Sequence, residues 1–310
     1  MLRAVSRGAL EKEYDMYALR TVLTRLEGEG SALGHFNVSE LVLLKAVLAA
    51  AGQIRVPVLV GASEGEREFF GVRQLAAVVN SLREESDVPI FLNADHTHSL
   101  VKAIEAAKAG FDEIVIDFSA LPFEQNVSGT KEAVEAIKAI NPGILVEGEI
   151  GDIGTGSEIH EKARKEFRRL TTAEQASQFV DSTGIDVLAP AVGNMHGMVE
   201  SMVQGETKKR LDIERIAEIK KTTGAFLTLH GGSGTDDADF GKAIAAGINI
   251  IHVSTELRVA WRRSLEGSLA AKPNEVVPYK ILRPVVDSVA EVVGSRLRLF
   301  NEKRVRRQQN

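Results

Sequence analysis

Short runs of aliphatic and β-branched residues alternate along the chain with longer stretches in which apolar positions recur every three or four residues. The short runs predict strands at Leu33–Val38, Pro57–Ala62, Pro89–Ala94, Glu113–Phe118, Ile144–Ile150, Val187–Val192, Ala225–Leu229 and Ile248–Val253. The stretches between and after them predict amphipathic helices at Leu41–Gln53, Arg73–Arg83, Leu100–Ala109, Lys131–Ala139, Ala173–Ser182, Ile213–Thr222, Asp239–Ala246 and Glu256–Ala270. Near-continuous apolar strands separated by helices indicate a parallel sheet covered on both faces. Eight such units with no break in composition point to a closed (β/α)8 barrel of the TIM type, not an open sheet. A further helix is expected ahead of the first strand (Asp15–Glu29) and another at the C-terminal end (Tyr279–Leu299). No linker, repeat or low-complexity segment stands out, so a single domain over residues 1–310 is expected.

Composition narrows the chemistry. The 310 residues are 44% hydrophobic and 26% charged, with a formal net charge of −5 and a pI near 5.9. That balance offers no basic field for nucleic acid or an anionic membrane. The basic tail of Arg304, Arg306 and Arg307 reads as a solvated end. There is no cysteine, so a transition-metal site must be built from histidine and carboxylates. Met1–Tyr14 is mixed and charged, unlike a secretory leader, and no apolar run has membrane-spanning length. A cytoplasmic location is expected.

In barrels of this kind the reactive groups stand at the C-terminal strand ends, where the βα loops surround one mouth. The third strand ends Asn93-Ala94-Asp95-His96-Thr97-His98, the fourth runs into Asp117, and the fifth carries Glu147 and Glu149. The sixth leads into Gly193-Asn194-Met195-His196-Gly197, the seventh into His230-Gly231-Gly232-Ser233-Gly234, and the eighth carries His252, Ser254 and Thr255. Five of seven histidines (His96, His98, His196, His230, His252) thus fall at strand ends. Three imidazoles from the third, sixth and seventh strands can hold one divalent ion and leave positions open for substrate oxygens. The glycines and Ser233 after the seventh strand suit a phosphate, which such barrels bind at the loops after strands seven and eight. Gly151–Gly156 is glycine-rich too, but lacks dinucleotide-binding spacing and reads as a mobile loop.

These segments, in this order, resemble the class II fructose-bisphosphate and tagatose-bisphosphate aldolases. The likeness rests on Asp95-His96, Val146-Glu147-Gly148-Glu149-Ile150-Gly151, the Gly-x-x-His-Gly around His196, Leu229-His230-Gly231-Gly232-Ser233 and Val253-Ser254-Thr255-Glu256-Leu257, with Ile116–Ser119 and Leu121–Phe123 also fitting. It implies zinc or a similar divalent ion on His96, His196 and His230, with Asp117 and Glu149 as carboxylates able to hold or steady it. It implies Asp95 as the group that exchanges the hydroxyl proton. It implies a dihydroxyacetone-phosphate site built from Ser63, Gly197, Gly231, Gly232, Ser233, His252, Val253, Ser254 and Thr255. It also admits a monovalent cation as a second ion, and it implies a homodimer or homotetramer acting on a small sugar phosphate. One departure stands out. Where the family has Lys-Val-Asn or similar in the eighth strand, this chain has Ile250-Ile251-His252.

Retro-aldol cleavage must stabilise an enediolate while a proton leaves the C4 hydroxyl. A divalent ion on the carbonyl oxygen provides several kcal/mol of such stabilisation, and a carboxylate beside it moves the proton. Glu158, on the loop after the fifth strand, is the candidate acid–base group for the carbon atom. An imine route would need a lysine on an inner strand, and strands six to eight carry none. Two other readings remain open here. A metal-dependent hydrolase barrel also gathers histidines, but usually with His-x-His on its first strand, where this chain has only His35. A non-catalytic subunit would have no need of Asp95 and all three histidines.

Overall fold

The computed structural model describes residues 18–309, apart from residues 155, 157 and 161–169. Helix α1 (Leu19–Glu29) comes first. Its Leu19, Val22, Leu23 and Leu26 follow helical spacing, and Gly30 ends it in a left-handed turn at φ 66° whose N–H caps the last carbonyls. Residues 15–17 of the expected helix lie outside the described range.

The barrel strands are β1 (Leu33–Asn37), β2 (Val58–Ala62), β3 (Ile90–Thr97), β4 (Glu113–Ile116), β5 (Leu145–Ile150), β7 (Val187–Pro190), β9 (Phe226–Leu229) and β10 (Ile248–Val253). They close in the order β1-β10-β9-β7-β5-β4-β3-β2, all neighbours parallel. The remaining strands, β6 (Ile159–His160) and β8 (Met198–Val199), form a separate two-stranded patch. The helices are α2 (Leu41–Ile54), α3 (Glu64–Phe70), α4 (Val72–Glu84), α5 (Leu100–Ala109), α6 (Phe123–Ile140), α7 (Ala173–Thr183), α8 (Glu200–Val203), α9 (Ile213–Thr223), α10 (Asp237–Ala246), α11 (Thr255–Ala271), α12 (Pro278–Phe300) and α13 (Glu302–Gln309).

The expected architecture is present, with local differences. Helix α3 and the first two turns of α6 lie outside the helices that the sequence pattern predicts. The basic tail is helical in α13, with Arg306 and Arg307 solvated as expected and Arg304 paired with Glu29 at 2.8 Å. Strand β3 runs three residues past Ala94. The glycine-rich segment is pinned at Ile153, which is buried and whose carbonyl accepts from the His196 N–H at 3.0 Å.

Side chains alternate across each strand, so one register fills two different spaces. The outward set, among them Phe36, Val60, Leu92, Ile114, Val146, Leu227, Ile251 and Val253, packs under the helices in the main core. The inward set starts apolar. Leu33, Leu59, Phe91, Leu145, Val187 and Ile250 share a cluster with the four aliphatic side chains of α1, which plugs that end of the barrel. Each such burial contributes about 1.5–3 kcal/mol. Two residues further along on five of the strands the same face turns polar, through His35, Asn93, Glu147, Thr228 and His252, all buried, while β2 and β7 place Gly61 and Ala189 there.

Candidate metal centre and phosphate pocket

Strand β3 delivers two adjacent functional side chains by breaking its own regularity. Its register against β4 shifts between Ala94 and Thr97, and His96 takes a φ of 41°. A non-glycine residue in the left-handed region needs surrounding structure to hold it there. Arg67, 2% exposed, provides that hold. Its guanidinium donates to the carbonyls of Ala62 and Asp95 and to Thr97 Oγ1.

Each of two histidines is gripped from behind by a carboxylate. His96 Nδ1 lies 2.8 Å from Asp117 Oδ2, and Ser119 Oγ donates to the other Asp117 oxygen at 2.6 Å. His230 Nε2 lies 2.6 Å from Glu147 Oε1, whose partner oxygen accepts from Thr228 Oγ1 at 2.7 Å. The free nitrogens, His96 Nε2 and His230 Nδ1, therefore face each other at 3.2 Å. His196 Nε2 and Glu149 Oε2 are buried with no hydrogen-bond partner, and one ligand atom from each of His96, Glu149, His196 and His230 lies within 4.8 Å of the others.

This donor set fits a divalent cation such as zinc. Imidazole nitrogens and a carboxylate converge, their outer nitrogens are fixed by acidic partners, and two buried acceptors have nothing else to satisfy them. Asp117, expected to hold or steady the ion, stands behind His96 with Oδ2 2.8 Å from its Nδ1, a place from which it orients that imidazole.

The electrostatics agree. Burial pulls His96 down, but Asp95, Asp117 and Glu149 outweigh it and push its pKa up to about 10. Burial and then the charge on His96 depress His196 far below the usual histidine value, and His230 also falls. Three touching imidazoles thus accept one positive charge among carboxylates. Burial raises Glu149 to about 7 and Glu147 to about 8. Burial would also raise Asp95, yet His96 and His252 hold it well below the usual carboxylate range, so it stays ionised. Its Oδ1 lies 3.8 Å from His96 Nε2, and Asn37 Nδ2 donates to Oδ2 at 2.8 Å.

A small pocket opens beside the cluster, lined by Asn37, Asp95, Gly197, Gly231, Ser233, His252, Ser254 and Thr255 along with His96 and His196. Ser233 Oγ accepts from the Ser254 and Glu256 N–H groups at 3.2 and 3.3 Å, which leaves its hydrogen for a ligand. Thr255 opens helix α11, whose N-terminus favours an anion. Gly231 is required by sterics: φ is 60°, and a Cβ there would lie 2.0 Å from the Met195 carbonyl oxygen.

Several expected contacts fall elsewhere. The Gly232 N–H is used by the His252 carbonyl at 2.9 Å, and the Val253 side chain packs outside the barrel. Ser63 caps α3 and gives its hydroxyl to Glu66 Oε2 at 2.9 Å. Glu158 is exposed; its carbonyl accepts from Met198 N–H at 3.0 Å, where β6 pairs β8 two residues after His196. His98 is exposed, with Nδ1 3.0 Å from the Asp117 carbonyl. His252 is buried between His35 (centroids 3.4 Å apart, interplanar angle 8°) and His230 (4.1 Å), with Nδ1 3.4 Å from Asp95 Oδ1.

Five residues were missed. Asn37 and Glu66 form a buried relay to Asp95, completed by Arg258 on Glu66 at 2.7 Å. Arg67 fixes the β3 turn. Lys209, 4% exposed, sends its ammonium into the loops beside His196 and His230. Of these only Asn37 carried a signal, the alternation that places Leu33, His35 and Asn37 on one face of β1.

A histidine and carboxylate cluster able to hold a cation, beside a small polar pocket at the C-terminal mouth of a (β/α)8 barrel, is the pattern of metal-dependent barrel enzymes. Over residues 17–304 the sequence matches the family described as fructose-bisphosphate aldolase class-II, and the chain belongs to that family. It is 35% identical over 288 residues to a probable fructose-bisphosphate aldolase of Bacillus subtilis, covering 92% of this chain and 97% of that one. It is 32% identical over 281 residues to a sulfofructosephosphate aldolase of Alkalicoccus urumqiensis, covering 91% and 95%. The crystal structure of an aldolase from Escherichia coli K12 superposes with a TM-score of 0.76 at 28% identity, over 91% of this chain and 96% of that one.

Proposed function

We propose that the chain cleaves a phosphorylated ketose, fructose 1,6-bisphosphate first among them, to dihydroxyacetone phosphate and an aldehyde, and catalyses the reverse condensation. The observation that carries this reading is the convergence of His96, His196, His230 and Glu149 beside an ionised Asp95 and a small polar pocket that includes Ser233 and the start of α11.

His96, His196 and His230, with Glu149 at hand, would hold the divalent ion, zinc being the expected metal. Bound there, it supplies a Lewis acid to the ketose carbonyl. Ser233, the backbone around Gly197 and Gly231, and the start of α11 bind the phosphate and aim the carbonyl end at the centre. Asp95, ionised and held by Asn37, takes the C4 hydroxyl proton as the C3–C4 bond breaks. Glu158 returns a proton to the carbon left behind, from a loop tied to the His196 segment through β6 and β8. None of the eight barrel strands carries a lysine, which supports this route over an imine.

The test is turnover of zinc-loaded protein on a panel of ketose phosphates, with released triose phosphate followed by a coupled dehydrogenase. Activity must vanish with a chelator and return with zinc or cobalt. His96→Ala retaining both full metal content and full activity overturns the reading. His252 in place of the family's asparagine, together with the sulfofructosephosphate aldolase relative, favours including sulfofructose phosphate and tagatose bisphosphate in the panel. We further propose a cytoplasmic homodimer or homotetramer. No helix among the described residues is long and apolar enough to cross a membrane, and Phe69 and Val101 stand 78% and 76% exposed on α3 and α5, helices joined by the Glu68–Lys102 pair. Light scattering after size exclusion tests the assembly.

A further inference from the structure

Lys209 lies in the segment between α8 and α9, and its backbone is stitched to the loop after β9. Its N–H donates to the Gly234 carbonyl at 2.8 Å, and its own carbonyl accepts from Asp236 at 3.1 Å. The buried side chain turns back under the barrel mouth. There Nζ meets four backbone carbonyl oxygens, those of Met195 (2.7 Å), Gly197 (2.7 Å), Gly231 (3.0 Å) and Ser233 (2.5 Å).

An ammonium has three N–H groups. Four oxygens around it are therefore more than directed hydrogen bonds account for, and the arrangement is that of a cation in a carbonyl cage. Rings of backbone carbonyls at such distances are how proteins coordinate potassium-sized ions. The cage is made from the two segments that matter most. Met195 and Gly197 flank His196, Gly231 follows His230, and Gly197, Gly231 and Ser233 also line the phosphate pocket. A monovalent cation was expected as a second ion, but the ring of oxygens that suits one is already filled.

We propose that Lys209 is a built-in monovalent cation: a positioning residue whose ammonium ties the His196 and His230 loops together, sets the phosphate pocket, and makes the protein independent of sodium or potassium. The role in turnover rests on the aldolase reading; the cage itself does not. Removing the ammonium would leave four carbonyl dipoles pointing at one another, a vacancy that an alkali ion of the right size would enter. The charge beneath the pocket would vanish with it, weakening phosphate binding.

The experiment compares zinc-loaded wild type, Lys209→Met and, as a control, Lys208→Met, whose side chain is exposed. Each is titrated with potassium, sodium or ammonium against tetramethylammonium at constant ionic strength. Three quantities are read: melting temperature, inorganic phosphate affinity by calorimetry, and KM and kcat on the best ketose phosphate. Wild type and Lys208→Met should be flat in every cation. Lys209→Met should bind phosphate about tenfold more weakly or worse, show a raised KM, and recover both phosphate affinity and melting temperature as potassium or ammonium rises. Activation of wild type several-fold by potassium, or a Lys209→Met protein whose phosphate affinity is unchanged or fails to recover, overturns the proposal. If Lys209→Met cannot be isolated folded, the wild-type titration decides alone. A protein that turns over no ketose phosphate but shows the cation rescue in melting and phosphate binding overturns the aldolase reading and leaves this one standing.

Discussion

Replacing Glu147 by glutamine should damage the metal centre while sparing the fold. Glu147 and His230 are both fully buried, 2.6 Å apart, and the carboxylate fixes the proton on His230 Nε2 so that Nδ1 faces the cluster. An amide that turns its NH2 toward His230 forces the opposite tautomer and blocks Nδ1; one that turns its oxygen there keeps the tautomer but loses the charge. Loss of such a supporting partner typically costs 10–100-fold in metal affinity, or about 1.4–2.7 kcal/mol. In the metal-free protein the accounting reverses. Burial pushes Glu147 up to about 8, so near pH 7 it is mostly protonated, and glutamine is its neutral isostere. The chelated variant should therefore melt no lower than chelated wild type. Zinc competition against a chromophoric chelator gives the first quantity and thermal melts the second. Zinc affinity within twofold of wild type refutes the reasoning, as does an equal loss of stability with and without metal.

Three further outcomes are expected. Gly231→Ala combines a left-handed φ with a 2.0 Å approach to Met195, and should lower unfolding stability in denaturant by about 2–4 kcal/mol; an unchanged midpoint refutes it. Glu113 is fully buried, and burial and then the charge of Glu147 raise its pKa well above its ordinary 4.5. The folded state thus holds the proton more tightly than the unfolded chain, and this group costs stability as pH rises from about 4.5 through its raised value. Glu113→Gln should gain stability over wild type at pH 8 and much less at pH 5; a gap that does not change with pH contradicts this. Ser233→Ala removes the hydroxyl hydrogen proposed to meet the phosphate and should raise KM and the inhibition constant of inorganic phosphate about tenfold, with a smaller change in kcat; a collapse of kcat at constant KM would count against the pocket.

How legible this molecule is from sequence depends on where the information sits. His96, His196 and His230 could be read because each stands at or just past the end of an apolar run, and the barrel fixes where such runs end. The polar middle of the barrel was harder. Hydrophobic runs suggest a dry interior, yet the inward alternation Leu145-Glu147-Glu149 or Phe91-Asn93-Asp95 turns polar while the outward residues keep the strand apolar. Helix α3 escaped because Glu64-Gly65-Glu66-Arg67-Glu68-Phe69-Phe70 has no apolar stripe; its buried face is Glu66 and Arg67, and Phe69 is exposed. The start of α6 escaped because Asn126 and Gly129 read as loop, whereas Asn126 is buried on the Glu149 carbonyl and Gly129 lies against Phe118. Lys209 could not have been found at all. Its meaning comes from four carbonyls on two distant loops, and carbonyls leave no mark in a sequence.

The ring pile of His35 and His252 limits the order in which this barrel can change. His35 and His252 are register partners on β1 and β10, and His35 faces β2 at Gly61, where a methyl group would lie 2.0 Å from its Nε2. A larger residue at 61 has no room while His35 remains, and a smaller residue at 35 or 252 opens a hole against the imidazole of His230. Drift at any one of the three is penalised until its neighbours have moved. An evolutionary route from this strand pair to one with an asparagine at 252 must then cross a low-fitness single mutant or change several positions together, so the identity of residue 61 constrains the history of residue 252 from two strands away.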